Sequence, residues 1–222
     1  MKKSWKLSLL VLLILLIDQS VKIWIKTHFW LSQEVEILGL DWALIHFMEN
    51  NGMAFGISFG GSFGKLALSI FRIMAISFLI YLIRNFIRSG TRWGILIPFG
   101  LILAGAIGNM LDSAFYGMIF SDSGYFHGGV ARMFPAEGGY AGFLHGKVVD
   151  MFHFPMFEGF WPEWIPLIGG HHYLFFKPVF NVADVAITVG VLQILIFQRS
   201  FFLNESMEST ESPQATPTDE EE

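Results

Sequence analysis

The stretch "VFNVADVAITVGVLQILIFQ", Val179–Gln198, decides how the rest of the chain is read. It is apolar, and its length is what a helix needs to cross about 30 Å of hydrocarbon. Yet it begins with Asn181 and Asp184. An acid at the edge of lipid is costly, so it is either satisfied by neighbours or used in function.

The whole chain fits a membrane setting. Hydrophobic residues make up 53% of its 222 positions, and the mean hydropathy is +0.53. Working outward from Val179, three more apolar runs of spanning length appear. "MKKSWKLSLLVLLILLIDQSVKIWI" resembles a signal peptide at its basic start. No small-x-small cleavage site follows, and the apolar run passes Asp18 to reach Ile25, so it reads as a first span at about 7–26. "KLALSIFRIMAISFLIYLIRNFI" gives a second span at about 66–86, with Arg72 expected to snorkel to the interface. "WGILIPFGLILAGAIGNMLDSAF" gives a third at about 93–114, and the opening stretch a fourth at about 179–198.

Lys2, Lys3 and Lys6, then Arg84, Arg88 and Arg92, then Arg199 all fall on one side of this arrangement. The positive-inside rule makes that side cytoplasmic, with both termini there. Residues 27–65 and 115–178 then lie outside. "VEILGL" and "WALIHFM" alternate like short strands, which predicts a small external sheet. The net charge of −5 comes from the tail. Residues 204–222 hold seven acids and no base, leaving 12 acids against 14 bases in the body. That tail reads as a disordered acidic extension, and residues 1–203 as one membrane domain. No basic patch alternates with aromatics, which argues against nucleic-acid binding. With no cysteine, a disulfide, a thiol nucleophile and a thiolate metal site are all excluded.

On this topology the polar residues of the spans collect at one depth. Asp18 and Lys22 lie in the outer half of span one, Asn109 and Asp112 near the outer end of span three, Asn181 and Asp184 at the outer start of span four. Asp150, in "GKVVDMFHF", lies on the approach to span four. The plainer alternative is polar glue between helices. Asp18 and Lys22 stand at i and i+4, so a local ion pair explains them. Asp150 and Asp184 have no such partner. Two unpaired carboxylates in a poorly solvated place do not both ionise easily, and such a pair can activate water with one member while the other donates a proton.

The motifs carry a family resemblance. "DQSVK" at 18–22, "NNGMAF" at 50–55, "GNMLD" at 108–112, "VVD" at 148–150 and "FNVAD" at 180–184 resemble, in order, the motifs of the bacterial lipoprotein signal peptidases, signal peptidase II. The likeness covers about residues 5–198. It implies an aspartic endopeptidase of the bacterial inner membrane that removes signal peptides from diacylglyceryl-modified prolipoproteins, cutting just before the lipidated cysteine. It implies Asp150 and Asp184 as the catalytic dyad at the outer, periplasmic face. It further implies Asp18, Lys22, Asn50, Gly52, Asn109, Asp112 and Asn181 as substrate-binding or supporting groups. No metal or other cofactor is expected, globomycin is the expected inhibitor, and the enzyme is expected to work as a monomer in contact with membrane lipid. Two features depart from the family pattern. Ser113 follows "GNMLD" where Arg is common, so a basic contact is expected from another residue, Arg132 or Lys147. The 114–147 segment is also longer than the compact pattern.

The expected fold is thus an all-α membrane core of four transmembrane helices with a small external β-rich cradle and an external insertion. Two other classes fit less well. A metallopeptidase could use His127, His145, His153, His171 or His172, but no His-Glu-x-x-His occurs. These histidines are expected to be interfacial or loop residues. A transporter or channel would line a path across the membrane, whereas these acids gather at one face.

Overall fold

The computed structural model describes residues 3–51, 61–175 and 178–197. The "MAFGISFGG" segment with Gly52 lies largely outside these residues, and the acidic tail lies wholly outside them.

Among the described residues, three helices are long and apolar enough to cross a membrane. The first, α1, runs Lys3–His28, and the second, α2, Gly61–Arg88. The third, α3, runs Trp93–Leu111 and continues through a π-helical turn, Asp112–Tyr116, into the short α4, Gly117–Ile119. The last helix, α5, spans Val182–Phe197 and is shorter, at 16 residues. It starts three residues later than the hydropathy suggests, because Val179 and Phe180 are drawn into a sheet instead. Leu9, Leu12, Leu13 and Leu16 of α1, Phe71, Met74 and Phe78 of α2, and Leu192, Leu195 and Ile196 of α5 are exposed apolar side chains. Exposed side chains of this kind suit a lipid solvent.

Small residues let the helices meet. A Cβ on Gly108 of α3 would stand 3.2 Å from the Ala183 Cβ of α5 and 2.7 Å from Asp18 Oδ2 of α1. Gly105 meets the Ala183 carbonyl still more closely, and Gly190 of α5 faces the Pro98 carbonyl. This is the packing by which membrane helices associate without a hydrophobic drive. Leu7, Val11, Ile83, Leu96, Leu103 and Ala104 form a core where α1, α2 and α3 meet.

Four strands form an antiparallel sheet in the order β1-β2-β3-β6: Glu34–Ile37, Leu40–Asn50, Val148–His153 and Val179–Phe180. The expected strands "VEILGL" and "WALIHFM" become β1, β2 and the hairpin between them. Its two-residue turn, Leu38-Gly39, has positive φ at both positions, 56° and 74°. That is the type I′ geometry whose twist matches paired strands. Between β3 and β6 a separate antiparallel pair, β4 (Phe157–Phe160) and β5 (His172–Phe175), stands apart. A second core, built on Ile25, Phe29, Phe47, Tyr116, Phe120, Val149 and Met151, joins the end of α1 to the sheet and to the 114–147 segment.

Candidate active site

The site grows from the N-terminus of α5. The first turn of any helix leaves N–H groups without intrahelical partners, and carboxylates are favoured there. Asn181 and Asp184 satisfy two of them reciprocally. The Asp184 N–H donates to Asn181 Oδ1 at 3.0 Å, and the Asn181 N–H to Asp184 Oδ2 at 3.2 Å. This is a capping box with Asn at the cap and Asp three residues on. A third N–H, of Ala183, donates to Asp18 Oδ1 at 2.9 Å. Asp18 therefore ties α1 to α5, beyond the local ion pair its spacing suggests.

Lys22 is the hub. Its ammonium is fully buried and lies 3.0 Å from Asp18 Oδ2 and 2.8 Å from Asp112 Oδ2, and it donates to Asn109 Oδ1 at 2.8 Å. Three donors meet three acceptors, which is how a buried charge is tolerated. Asp112 also accepts from Gln19 Nε2 at 2.9 Å and from the Val149 N–H at 3.3 Å. It thereby fixes β3 one residue before Asp150.

Both expected catalytic acids end at this network. Asp150, on β3, is 5% exposed. Its Oδ1 accepts from Asn181 Nδ2 at 2.6 Å, and Asn50 also bonds its side chain. Asp184 Oδ1 accepts from Asn109 Nδ2 at 2.8 Å. The Asn181 amide also donates to Asn109 Oδ1 and to the Val149 carbonyl, both at 3.2 Å. Asn181 thus touches both acids, and Asn109 links one of them to Lys22. Burial first, then the nearby charge of Asp184, pushes Asp150 up to about 7, against smaller opposing effects of Asn181, Lys22 and Asn50.

A cation does reach Ser113, from another helix. Arg72 of α2 is half-buried, and its Nη1 donates to Ser113 Oγ at 2.9 Å. Its charge acts on Asp112, Asp184 and Asp150. Arg72 therefore turns inward to an acidic site rather than snorkelling, because Ser113 in the π-helical turn leaves room and a hydroxyl for it. Of the two residues expected in this part, Arg132 instead pairs with Glu137 at 2.6 Å, and Lys147 with Glu49 and Asp122 at 2.9 Å each.

Gln19, Lys26, Glu49 and Arg72 were not singled out as site residues in the sequence. Glu49, almost fully buried, binds Lys26, Lys147 and Ser123. Burial alone would push its carboxyl up, but Lys26 and Lys147 outweigh that and hold it below the usual carboxylate range. Lys26 lies one helical turn beyond Lys22, on the face that Asp18 and Lys22 already mark. That spacing was the available signal. Of the expected supporting residues, Asp18, Lys22, Asn50, Asn109, Asp112 and Asn181 come together, while Gly52 lies outside the described residues.

Comparison with known proteins identifies the family. Residues 10–201 match the family described as signal peptidase (SPase) II. A lipoprotein signal peptidase of Porphyromonas gingivalis is 48% identical over 188 residues, covering 84% of this chain and 80% of that protein. One from Amoebophilus asiaticus is 36% identical over 203 residues, covering 90% of this chain and 80% of that protein. A solved bacterial membrane enzyme, determined by the in meso method at 1.9 Å resolution, shares the fold with a TM-score of 0.56. It is 24% identical, with 87% of this chain and 92% of that one aligned. The chain belongs to the signal peptidase II family, the lipoprotein signal peptidases.

Proposed function

We propose that this membrane peptidase is an aspartic endopeptidase whose dyad is Asp150 and Asp184, and that it cuts diacylglyceryl-modified prolipoproteins just before the lipidated cysteine. The observation that carries the reading is Asn181, which hydrogen-bonds both acids. The two carboxyls work as one unit, and burial first, then the nearby charge of Asp184, favours the protonated form of Asp150. Asp184 accepts a proton from water as it attacks the scissile carbonyl. Asp150 donates to the carbonyl oxygen; as the tetrahedral intermediate collapses, Asp184 passes the proton it took from water to the leaving amine, and the gem-diol hydroxyl returns a proton to Asp150. Arg72 supplies positive charge beside the oxygen on which negative charge develops. Asp18, Lys22, Asn109, Asp112 and Asn181 hold the acids in register, and Asn50 supports Asp150. One chain supplies both acids, so a monomer suffices.

The enzyme is placed in the bacterial inner membrane with four spans, α5 being the fourth, and its active site at the periplasmic face. Supporting this, Lys3 at the start of α1 donates to the Gly90 and Thr91 carbonyls of the α2–α3 loop, each at 2.8 Å. The basic ends therefore share one side, opposite the acids. A diacylglyceryl cysteine holds its scissile bond at the lipid boundary, the depth at which these acids sit. Globomycin is the inhibitor expected to occupy the same cleft.

The test is cleavage by purified protein of one prolipoprotein prepared with and without diacylglyceryl, read by mass spectrometry. The account expects one cut, before the cysteine, in the lipidated form only, unaffected by chelator. Equal cutting of both forms would sink the substrate assignment, and loss of activity in chelator would sink the metal-free mechanism.

A further inference from the structure

Away from the dyad, the outer sheet gathers a second set of ionisable groups. Glu34 of β1 stands directly opposite His46 of β2. His153, at the end of β3, packs its ring against His46 with centroids 5.6 Å apart. One ligand atom from each residue lies within 4.8 Å of the others. The backbone accounts for this convergence. Between the Ile45–Phe152 and Met48–Asp150 pairs, β2 carries one residue more than β3. His46 is one of the two residues in that bulge, and bulges re-aim side chains.

The two imidazoles are only partly satisfied by the described residues. The Glu34 carboxylate lies against His46 Nδ1, but out of hydrogen-bonding alignment. Among the described residues, both His46 nitrogens and His153 Nδ1 are buried with no hydrogen-bond partner. Buried polar atoms left this way are costly, and a ligand that accepts their lone pairs removes the cost.

We propose that Glu34, His46 and His153 form a binding site for a first-row divalent transition metal, zinc above all, on the external sheet. The donor set is two imidazoles and one carboxylate, with further positions open to water. Tetrahedral coordination at about 2.0–2.2 Å needs donor atoms roughly 3.3 Å apart. The three ligand atoms already lie within 4.8 Å of one another, on three neighbouring strands of one sheet. Strand alternation turns His153 to the face of Val149 and Met151 and Asp150 to the other. The ion is therefore outside the cleavage chemistry. Its effect is mechanical: it pins the edge strand β1, through β2, to the strand that carries Asp150.

The test uses tag-free, full-length protein in detergent, stripped with chelator and then dialysed. Zinc binding is titrated by calorimetry, and cobalt is added separately to read coordination by its visible absorption. The wild type is compared with Glu34→Gln, His46→Ala, His153→Ala and, as a control, His171→Ala/His172→Ala. The site predicts one zinc per chain and a cobalt spectrum of low coordination number. Loss of either His46 or His153 weakens binding about a hundredfold or more. Glu34→Gln weakens it less, and the control matches wild type. Hydrogen exchange across β1 slows on zinc addition in wild type and not in His153→Ala. The proposal is overturned if wild type binds no stoichiometric zinc. It is equally overturned if binding survives in His46→Ala or His153→Ala, or disappears in the control. Each variant's melting temperature without metal separates a lost site from a lost fold.

Discussion

Replacing Asp150 by asparagine should leave the protein inactive and make it more stable at neutral pH. In the folded protein the Asp150 carboxyl titrates near 7, against an ordinary aspartate value of 3.8. The folded state therefore binds this proton more tightly than the unfolded chain. The stability linked to that proton is fully present below about pH 4 and is lost as pH rises toward 7. The span from 3.8 to about 7 corresponds to roughly 4 kcal/mol at ~1.4 kcal/mol per tenfold in proton affinity. Asparagine keeps the size and still accepts from Asn181, but it never ionises. Water in the cleft and a weakened Asn50 contact offset part of the gain, leaving about 1–3 kcal/mol at about pH 7.5. For a chain of this length that is on the order of 2–10 °C in melting temperature. The assay is thermal unfolding of both proteins in one detergent, followed by tryptophan fluorescence between about pH 4 and 8. The Asp150→Asn variant should melt higher at the neutral end, with the difference closing toward the acid end. A variant that melts lower near neutral pH, or a difference independent of pH, would refute the claim that the fold holds Asp150 against its own ionisation.

Three other outcomes follow from the geometry. Arg72→Ala should lower kcat/KM by roughly a hundredfold, and Ser113→Arg in that background should recover part of it; steady-state cleavage of a lipidated peptide reads both. Lys22→Met strands Asp18 and Asp112 as buried, unpaired acids. It should destabilise by about 3–5 kcal/mol, with Asp112→Asn in the same chain restoring part of the loss in denaturant unfolding. Gly108→Ala puts a methyl 2.7 Å from Asp18 Oδ2, and should cost about 1–3 kcal/mol in the same unfolding assay by forcing α1 and α5 away from α3.

Much of this architecture was legible because membranes simplify sequence. Long apolar runs announced α1, α2 and α3, and Asn181 and Asp184 marked the start of α5. Residue types and order were enough to pick out Asp18, Lys22, Asn109, Asp112, Asp150 and Asp184, which the structure brings into one network. The connections among them were not legible. Spacing reads contacts within one helix, so it found the Asp18–Lys22 pair but not Asp18 capping α5, 165 positions away. Arg72 was misplaced for the same reason. Hydropathy sees an arginine in a span and sends it to the interface, while its partner Ser113 lies on another helix. His46 and His153 meet only through a bulge in β2, a register feature that the alternation of "WALIHFM" does not encode.

The central claim is that Asp150 and Asp184 act as one catalytic unit. The most direct measurement is cleavage of a diacylglyceryl-modified prolipoprotein in liposomes by Asp150→Asn and Asp184→Asn separately. Each variant is first shown to unfold cooperatively and to bind the uncleaved precursor. Either change alone should abolish cleavage while binding persists. Near-normal turnover by either folded variant would contradict it, leaving that acid a cap or a strut and not half of a dyad.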